Sequence, residues 1–397
     1  MNKFECRIAQ VFLYIGKAFI KWRRPELVKG AGSCGTLAYN ILARGIDNVL
    51  VVTGPNISRR GLADSMYESF DKNGIKYSIY NRTQNNPTTA NVEEGYDIYR
   101  ENKCRAIVAF GGGSPMDCAK AIGARVSNPA SSLMSMAGMF KVKKKTPVFF
   151  AIPTTAGTGS EATVAAVITD ENEHHKFTIN DPKLIPDVAV LDPCLTVNMP
   201  KHLTATTGMD ALTHAVEAYT NIFSGPTDRG AKYAVRLIFR YLPQVYRDGD
   251  EITAREKMLE ASYEAGVAFT RSCVGYVHAI AHTLGGLYGT PHGLANAVIL
   301  PHILELYGKA VYKPLAELAD AADISGNSDR EKAENFIGAI RQMNKDMDIP
   351  EHLEIKDEDI PKMIKWAIAE ANPVYPVPVI WNEADFRKAI DKIRGKI

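Results

Sequence analysis

The sequence predicts two parts: an α/β domain built on a parallel sheet over residues 1–200, and an all-helical domain over residues 201–397. Three observations carry this. The first half alternates short β-branched runs with helical-period segments, the pattern of a parallel sheet with helices on both faces. The second half holds long helical-period segments and few strand signals. A chain of 397 residues also exceeds what one compact core organises.

The elements follow in order. IAQVFLYIGKAFIKW (8–22) is apolar with helical spacing. Arg23 and Arg24 come after its apolar core, Lys17 interrupts it and no small-residue cleavage site closes it, so it is not read as a signal peptide. Two readings stay open: an amphipathic helix docked on the protein, or one that touches a membrane surface or a partner. NVLVVT (48–53) is a strand ending at Gly54 and Pro55, and RGLADSMYESFDKNG (60–74) a helix closed by glycine. KYSIYNR (76–82) reads as a strand, TTANVEEGYDIYRENK (88–103) as a helix capped by threonine, and AIVAF (106–110) as a buried strand running into GGGS. SPMDCAKAIGARVSN then gives a helix, and PVFFAIPTT and VAVLDP (188–193) give strands. After Pro200, TATTGMDALTHAVEAYT, DRGAKYAVRLIFRYLPQVY, AREKMLEASYEAGVAFTRS and KPLAELADAAD all have helical period.

Composition narrows the function classes. A net charge of +2 lacks the clustered basic excess of a nucleic-acid binder. The one basic run, Lys141 to Lys145, precedes a strand and reads as a solvated loop. Six cysteines without a CxxC pair predict reduced thiols and a cytoplasmic protein. No apolar run approaches the roughly eighteen residues of a membrane-spanning helix, so no stable membrane insertion is expected.

Two small-residue loops and a cluster of histidines carry the chemistry. Gly111, Gly112, Gly113 and Ser114 lie between a buried strand and a helix, where backbone N–H groups and the helix N-terminus suit an anion. PTTAGTGSEAT (153–163) follows the next strand and offers the hydroxyls of Thr154, Thr155, Thr158, Ser160 and Thr163. Either loop alone is readable as a turn; two at the ends of neighbouring strands suit a dinucleotide. His278, His282 and His292 fall within fifteen positions. His278 and His282 are spaced i, i+4 on one helical face, but Ala279 stands where a zinc protease carries its general-base Glu. Asp210 and His214 form a second i, i+4 pair, with Asp210 expected in the first turn of its helix. One carboxylate and three imidazoles, Asp210, His214, His278 and His292, suit a divalent metal with an open position.

Taken together, GGGSPMDCAKAIG, PTTAGTGSEAT, GMDALTHAVEAY and HAIAHTLGGLYGTPHGLANAVILPH resemble the iron-containing (group III) alcohol dehydrogenase family, in order and spacing, over roughly residues 28–380. The resemblance implies a Rossmann-like N-terminal domain and a helical C-terminal domain, the dehydroquinate synthase-like fold. It also implies NAD or NADP, Fe(II) or sometimes Zn(II), and a homodimer. The metal would fall to Asp210, His214, His278 and His292, and proton relay to His282. Gly112, Gly113 and Ser114 would hold the pyrophosphate. Gly54, Asn86, Asp117, Thr154, Thr155, Thr158, Thr163, Val167 and Lys176 would complete the cofactor site.

The expected activity is oxidation of a small alcohol or reduction of an aldehyde. The alternatives are a hydroxyacid–oxoacid transhydrogenase of the same superfamily, a zinc polyol dehydrogenase, and a binding protein that has lost catalysis. Three features depart from the common pattern. Gly54 stands where NAD-preferring relatives carry an acid, with Ser58, Arg59 and Arg60 close behind, so NADP is favoured. Residues 1–18 form an extension, expected on the sheet edge or at a dimer contact. ANPVYPVPVIW (371–381) is Pro-rich and apolar, and is expected to shape the pocket entrance along with Phe269 and Cys273.

Overall fold

A strand without a polar position has to be covered on both faces, and AIVAFG (106–111) is buried along its whole length. In the computed structural model, which describes residues 3–20, 22–171, 175–224 and 228–396, it sits inside a six-stranded sheet. The chain forms two units, residues 21–198 and residues 1–20 with 199–397.

Helix α1 (Lys3–Ala18) opens the chain. It is followed by β1 (Glu26–Lys29), α2 (Leu37–Leu42), β2 (Asn48–Val52), α3 (Pro55–Arg59), α4 (Asp64–Lys72), β3 (Lys76–Tyr80), α5 (Thr89–Glu101), β4 (Ala106–Gly111) and α6 (Gly113–Ser127). Then come β5 (Gly138–Met139), β6 (Val148–Pro153), β7 (Ala165–Asp170), β8 (His175–Asn180) and β9 (Val188–Leu191). The main sheet runs β1-β9-β6-β4-β2-β3, with every pairing parallel. Strand alternation splits the core: Leu50, Val52, Ile107 and Ala109 face one apolar layer, and Val49, Val51, Val108 and Phe110 the other.

A second sheet, β5-β8-β7, was not expected from the sequence. Its strands pair β7 against β8 antiparallel, and β5 is only two residues long. β8 alternates polar and apolar residues, and β7, although it opens on the apolar Ala165–Ile168, is buried at only two of its six positions, so neither matches the buried runs of β4 and β6. Edge strand β1 was missed for the same reason: three of its four residues are exposed.

The helical unit contains α7 (Lys201–Thr220), α8 (Asp228–Arg247), α9 (Ile252–Ser272), α10 (Tyr276–Tyr288) and α11 (His292–Tyr307). It continues with α12 (Tyr312–Ala321), α13 (Asp329–Asp346), α14 (Ile360–Ala371) and α15 (Glu383–Ile393). Asp210 was expected in a first turn. Instead α7 begins directly after Pro200 and carries Asp210 in its middle, 2% exposed. The threonines of TATTG lie within the helix, where Thr206 and Thr207 donate back to the His202 and Leu203 carbonyls.

The N-terminal helix spans residues 3–18, earlier than the apolar run 8–22 suggested, and Lys21 lies outside the described residues. The start is fixed by contact: Arg7 donates to the Val377 and Pro378 carbonyls and Gln10 to the Tyr375 carbonyl. α1 thus lies against the Pro-rich segment and groups with the C-terminal helices.

One buried charge cluster ties α6 to the loop before β7. Lys120, 1% exposed, donates to Ser160 Oγ at 3.0 Å, Thr163 Oγ1 at 2.8 Å and the Ala165 carbonyl at 3.0 Å. Asp117 accepts from Ser160 Oγ at 3.0 Å and from the Val167 N–H at 3.2 Å. Burial pushes the Asp117 carboxyl up to about 6, against attraction to Lys120. Burial likewise pushes Glu161 up to about 7 and the Lys120 ammonium down to about 8. Above their folded values the two acids are charged in a low-dielectric site and depend on Lys120. At low pH both states are protonated and that dependence vanishes. Lys120→Met is therefore expected to cost about 3 kcal/mol at pH 8 and distinctly less at pH 5. Urea unfolding at the two pH values checks this, and an equal cost at both would mean the cluster is not electrostatically coupled.

Candidate functional site

In the α/β unit, the two glycine-containing loops pack directly on each other. β4 ends at Gly111 with φ +149°, and a Cβ there would lie 2.7 Å from Pro115 Cγ and 2.9 Å from Ile57 Cδ1, so only glycine fits. Gly112 precedes α6 and Gly113 opens it. A Cβ on Gly112 would meet Thr155 Oγ1 at 3.2 Å, and one on Gly113 would meet Thr158 Cγ2 at 3.0 Å. The Thr154 N–H donates to the Gly111 carbonyl at 3.1 Å, and the Ser114 hydroxyl to the Asn85 carbonyl. The positive end of α6 therefore opens beside a strip of backbone and threonine hydroxyls, an arrangement suited to an anionic group.

The remaining residues of the expected cofactor set fall into three places. Asn86 and Lys176 meet, Nζ donating to Oδ1 at 2.8 Å. Thr163, Val167 and Asp117 belong to the Lys120 cluster, and the Thr163 hydroxyl is engaged there. Gly54 is buried at the start of α3, and a Cβ on it would make an ordinary contact, 3.6 Å from the Thr83 carbonyl oxygen. Beyond it Ser58, Arg59 and Arg60 are exposed, Arg59 reaching Asn56 Oδ1 at 2.5 Å.

In the helical unit, three helices bring four side chains able to ligate a metal to one point. Asp210 and His214 come from one face of α7, His278 from α10 and His292 from the first residue of α11. One ligand atom from each lies within 4.8 Å of the others. Asp210 Oδ1 is 3.5 Å from His292 Nε2 and 3.9 Å from His278 Nε2. The His214 ring stacks on His278 at 4.6 Å and on Phe269 at 4.2 Å, centroid to centroid. Phe269, expected to face the pocket or to serve the core, thus contacts His214.

A close helix approach makes this geometry possible. A Cβ on Gly293 would lie 2.4 Å from the Thr206 carbonyl oxygen, so α11 meets α7 here only through glycine.

The donor set itself answers whether a cation fits. Asn296 Nδ2 lies 2.7 Å from Asp210 Oδ1, 3.1 Å from His278 Nε2 and 3.1 Å from His292 Nε2. An amide has two hydrogens and faces three acceptors. A divalent cation at such a point satisfies all of them. His278 is pushed well below the usual imidazole range, by burial first and then by His214, His292 and His282, and a neutral imidazole is the form that ligates.

Three residues around this cluster were not singled out from the sequence. Glu217 Oε2 lies 2.5 Å from His278 Nδ1, and its Oε1 accepts the Val277 N–H at 2.8 Å. It holds the His278 ring with Nε2 toward Asp210, the usual carboxylate–histidine pairing behind a metal ligand. Burial pushes Glu217 up to about 8, opposed by backbone N–H groups of Gly275, Val277 and His278. Glu370 Oε1 lies 2.7 Å from His282 Nδ1 and accepts the Tyr375 hydroxyl at 2.8 Å. Asn296 is the third. Signals did exist: Glu217 continues the i, i+4, i+7 face of Asp210 and His214, and Asn296 is i+4 from His292.

Comparison with known proteins agrees with this geometry. The family model for iron-containing alcohol dehydrogenase matches residues 25–193, and the C-terminal model of the Fe-containing alcohol dehydrogenase family matches residues 204–391. A 1,3-propanediol dehydrogenase of Klebsiella pneumoniae is 40% identical over 331 residues, 81% of this chain and 85% of that protein. An NAD-dependent methanol dehydrogenase of Bacillus methanolicus is 38% identical over 352 residues, 87% of this chain and 92% of that protein. Among solved structures, an alcohol dehydrogenase from Oenococcus oeni superposes with a TM-score of 0.90 at 34% identity, covering 94% of this chain and 99% of that one.

If Glu217 orients His278, Glu217→Gln should weaken divalent-metal affinity by roughly tenfold to a hundredfold in a chelator competition, with the fold intact by circular dichroism. Unchanged affinity would leave Glu217 a purely structural acid.

Proposed function

The chain belongs to the iron-containing alcohol dehydrogenase family, and from that premise we propose that it transfers a hydride between a nicotinamide dinucleotide and a small alcohol or aldehyde, using one divalent metal ion, Fe(II) or Zn(II). It is an alcohol or aldehyde oxidoreductase of that family. The observation that carries the finer reading is the convergence of Asp210, His214, His278 and His292 within 4.8 Å. These four residues would hold the metal. When bound, such an ion supplies Lewis-acid polarisation of an alcohol or carbonyl oxygen, and the dinucleotide supplies the hydride chemistry.

The chain's own residues have separable tasks. Asp210 and His278 are each 3% exposed in the side chain, so the inner side of the cluster is closed to water. His292 and His282 are 40% and 39% exposed, which marks the side open to substrate. His282, anchored at Nδ1 by Glu370, presents Nε2 as the atom at which a proton is held and passed to solvent. Tyr375 fixes Glu370 in turn. Loops 111–114 and 154–158 would cradle the pyrophosphate, with Asn86 and Lys176 completing the cofactor site.

NADP is the favoured cofactor. Gly54 places no carboxylate at the end of β2 to repel a 2′-phosphate, and Arg59 and Arg60 are exposed beside it. The Bacillus methanolicus relative is described as NAD-dependent, which makes NAD the competing choice. The relatives' names, 1,3-propanediol and methanol dehydrogenases, support a short-chain alcohol as substrate. Six cysteines with no disulfide among the described residues support a reducing, cytoplasmic setting.

The test uses protein purified without air and loaded with Fe(II), following oxidation of reduced nicotinamide with short aldehydes. Oxidation that stops on chelation and runs more efficiently with NADPH than NADH is expected. A clear NADH preference would reject the NADP reading, and no oxidation with either would reject the proposed reaction. His278→Ala should lose metal and activity together, while His282→Ala should keep its metal and lose turnover. Full metal and full rate in both variants would mean the site is misassigned.

A further inference from the structure

α1 has two faces with different fates. Its inner face is anchored: Cys6 and Gln10 are each 2% exposed, Arg7 donates to the carbonyls of Val377 and Pro378, and the Tyr14 ring stacks on Phe223 at 4.4 Å. Its outer face is a stripe of large apolar side chains at helical spacing: Phe4, Ile8, Val11, Phe12 and Ile15, with Phe19 just beyond the last turn. Phe4 is 74% exposed, Phe12 69% and Phe19 83%. Scattered exposed apolar residues need no explanation, but a continuous stripe of this kind marks a contact surface.

Charge indicates what covers it. Residues 1–24 carry Lys3, Arg7, Lys17, Lys21, Arg23 and Arg24 against the single acid Glu5, whereas the whole chain balances 47 basic against 45 acidic residues. The positive excess of the protein is therefore concentrated on this segment, and the remainder is net acidic. Arg7 and Arg23 are engaged with the protein itself, at the Val377 carbonyl and at Asp187. Lys3 is 58% exposed in the side chain and pairs with Asp385 at 3.6 Å. Trp22 follows the helix among the basic residues. The family match begins at residue 25, so this segment lies outside the matched region.

We propose that the outer face of α1 docks the protein on an anionic lipid bilayer surface. The phenylalanines enter the headgroup boundary, and the net positive charge of the segment attracts it to lipid phosphates. The helix lies on the surface and does not cross it: no helix among the described residues is long and apolar enough to span a membrane. A second copy of α1 is a poorer occupant. It brings the same positive excess against itself, and one seam along a 16-residue helix falls short of the roughly 1,000 Å² of a specific interface.

Flotation of the full-length, metal-loaded protein with large unilamellar vesicles tests this. One set is phosphatidylcholine alone and the other phosphatidylcholine mixed with phosphatidylglycerol. The protein should float with the anionic vesicles and stay behind with the neutral ones, and high salt should weaken the binding. The double variant Phe4→Ser/Phe12→Ser should partition about tenfold less while keeping its aldehyde reductase rate in solution. Failure of the wild-type protein to float with either set would overturn the proposal, as would equal flotation of wild type and variant. Concentration-dependent self-association in sedimentation, lost in the same variant and unaccompanied by vesicle binding, would also overturn it and give the face to a second copy.

Discussion

Four ligand atoms held within 4.8 Å of one another, from Asp210, His214, His278 and His292, impose the strictest demand on the helical unit. A buried carboxylate and stacked imidazoles are costly without a cation or hydrogen bonds to satisfy them. The unit meets that demand by geometry. Gly293 lets α11 approach α7 until a Cβ would strike backbone. Glu217, on the same face of α7 as two of the ligands, reaches back to fix the ring of His278. Asn296 draws Asp210, His278 and His292 toward one point. Each side chain serves by constraining another, so single losses here are expected to propagate.

The α/β unit holds its loops with a buried charge. Its two anion-suited loops are short and rich in glycine, and loops of that kind do not hold themselves in place. Lys120 ties the segment after the second loop to α6 through three hydrogen bonds, at the cost of burying an ammonium group. Asp117 and Glu161 offset part of that cost, and in return their own carboxyls are shifted upward by burial. This cluster lies under the residues expected to line a cofactor.

How much of this was legible in the sequence depended on the kind of signal. β4 and β6 were readable because continuous apolar runs ending in glycine or threonine loops have few other meanings. The convergence of Asp210, His214, His278 and His292 was foreshadowed by the i, i+4 spacing of Asp210 and His214 and by the histidines gathered at 278–292. The residues behind the cluster were harder to see: a Glu or Asn on a helix is ordinarily a solvated residue, and only burial distinguishes Glu217 and Asn296. β8 carries no apolar run of its own and that of β7 is four residues long, so both are defined by pairing with each other. Asp210 lies mid-helix and not in a first turn because α7 already begins at Lys201, directly after Pro200.

The central claim is that these four side chains form one metal site, and titrating metal-free protein with Co(II) tests it most directly. The account predicts one tight equivalent per chain, with visible absorption bands of mixed nitrogen and oxygen coordination, both lost in His214→Ala. Weak, non-stoichiometric uptake, or a site that survives that substitution unchanged, would contradict it.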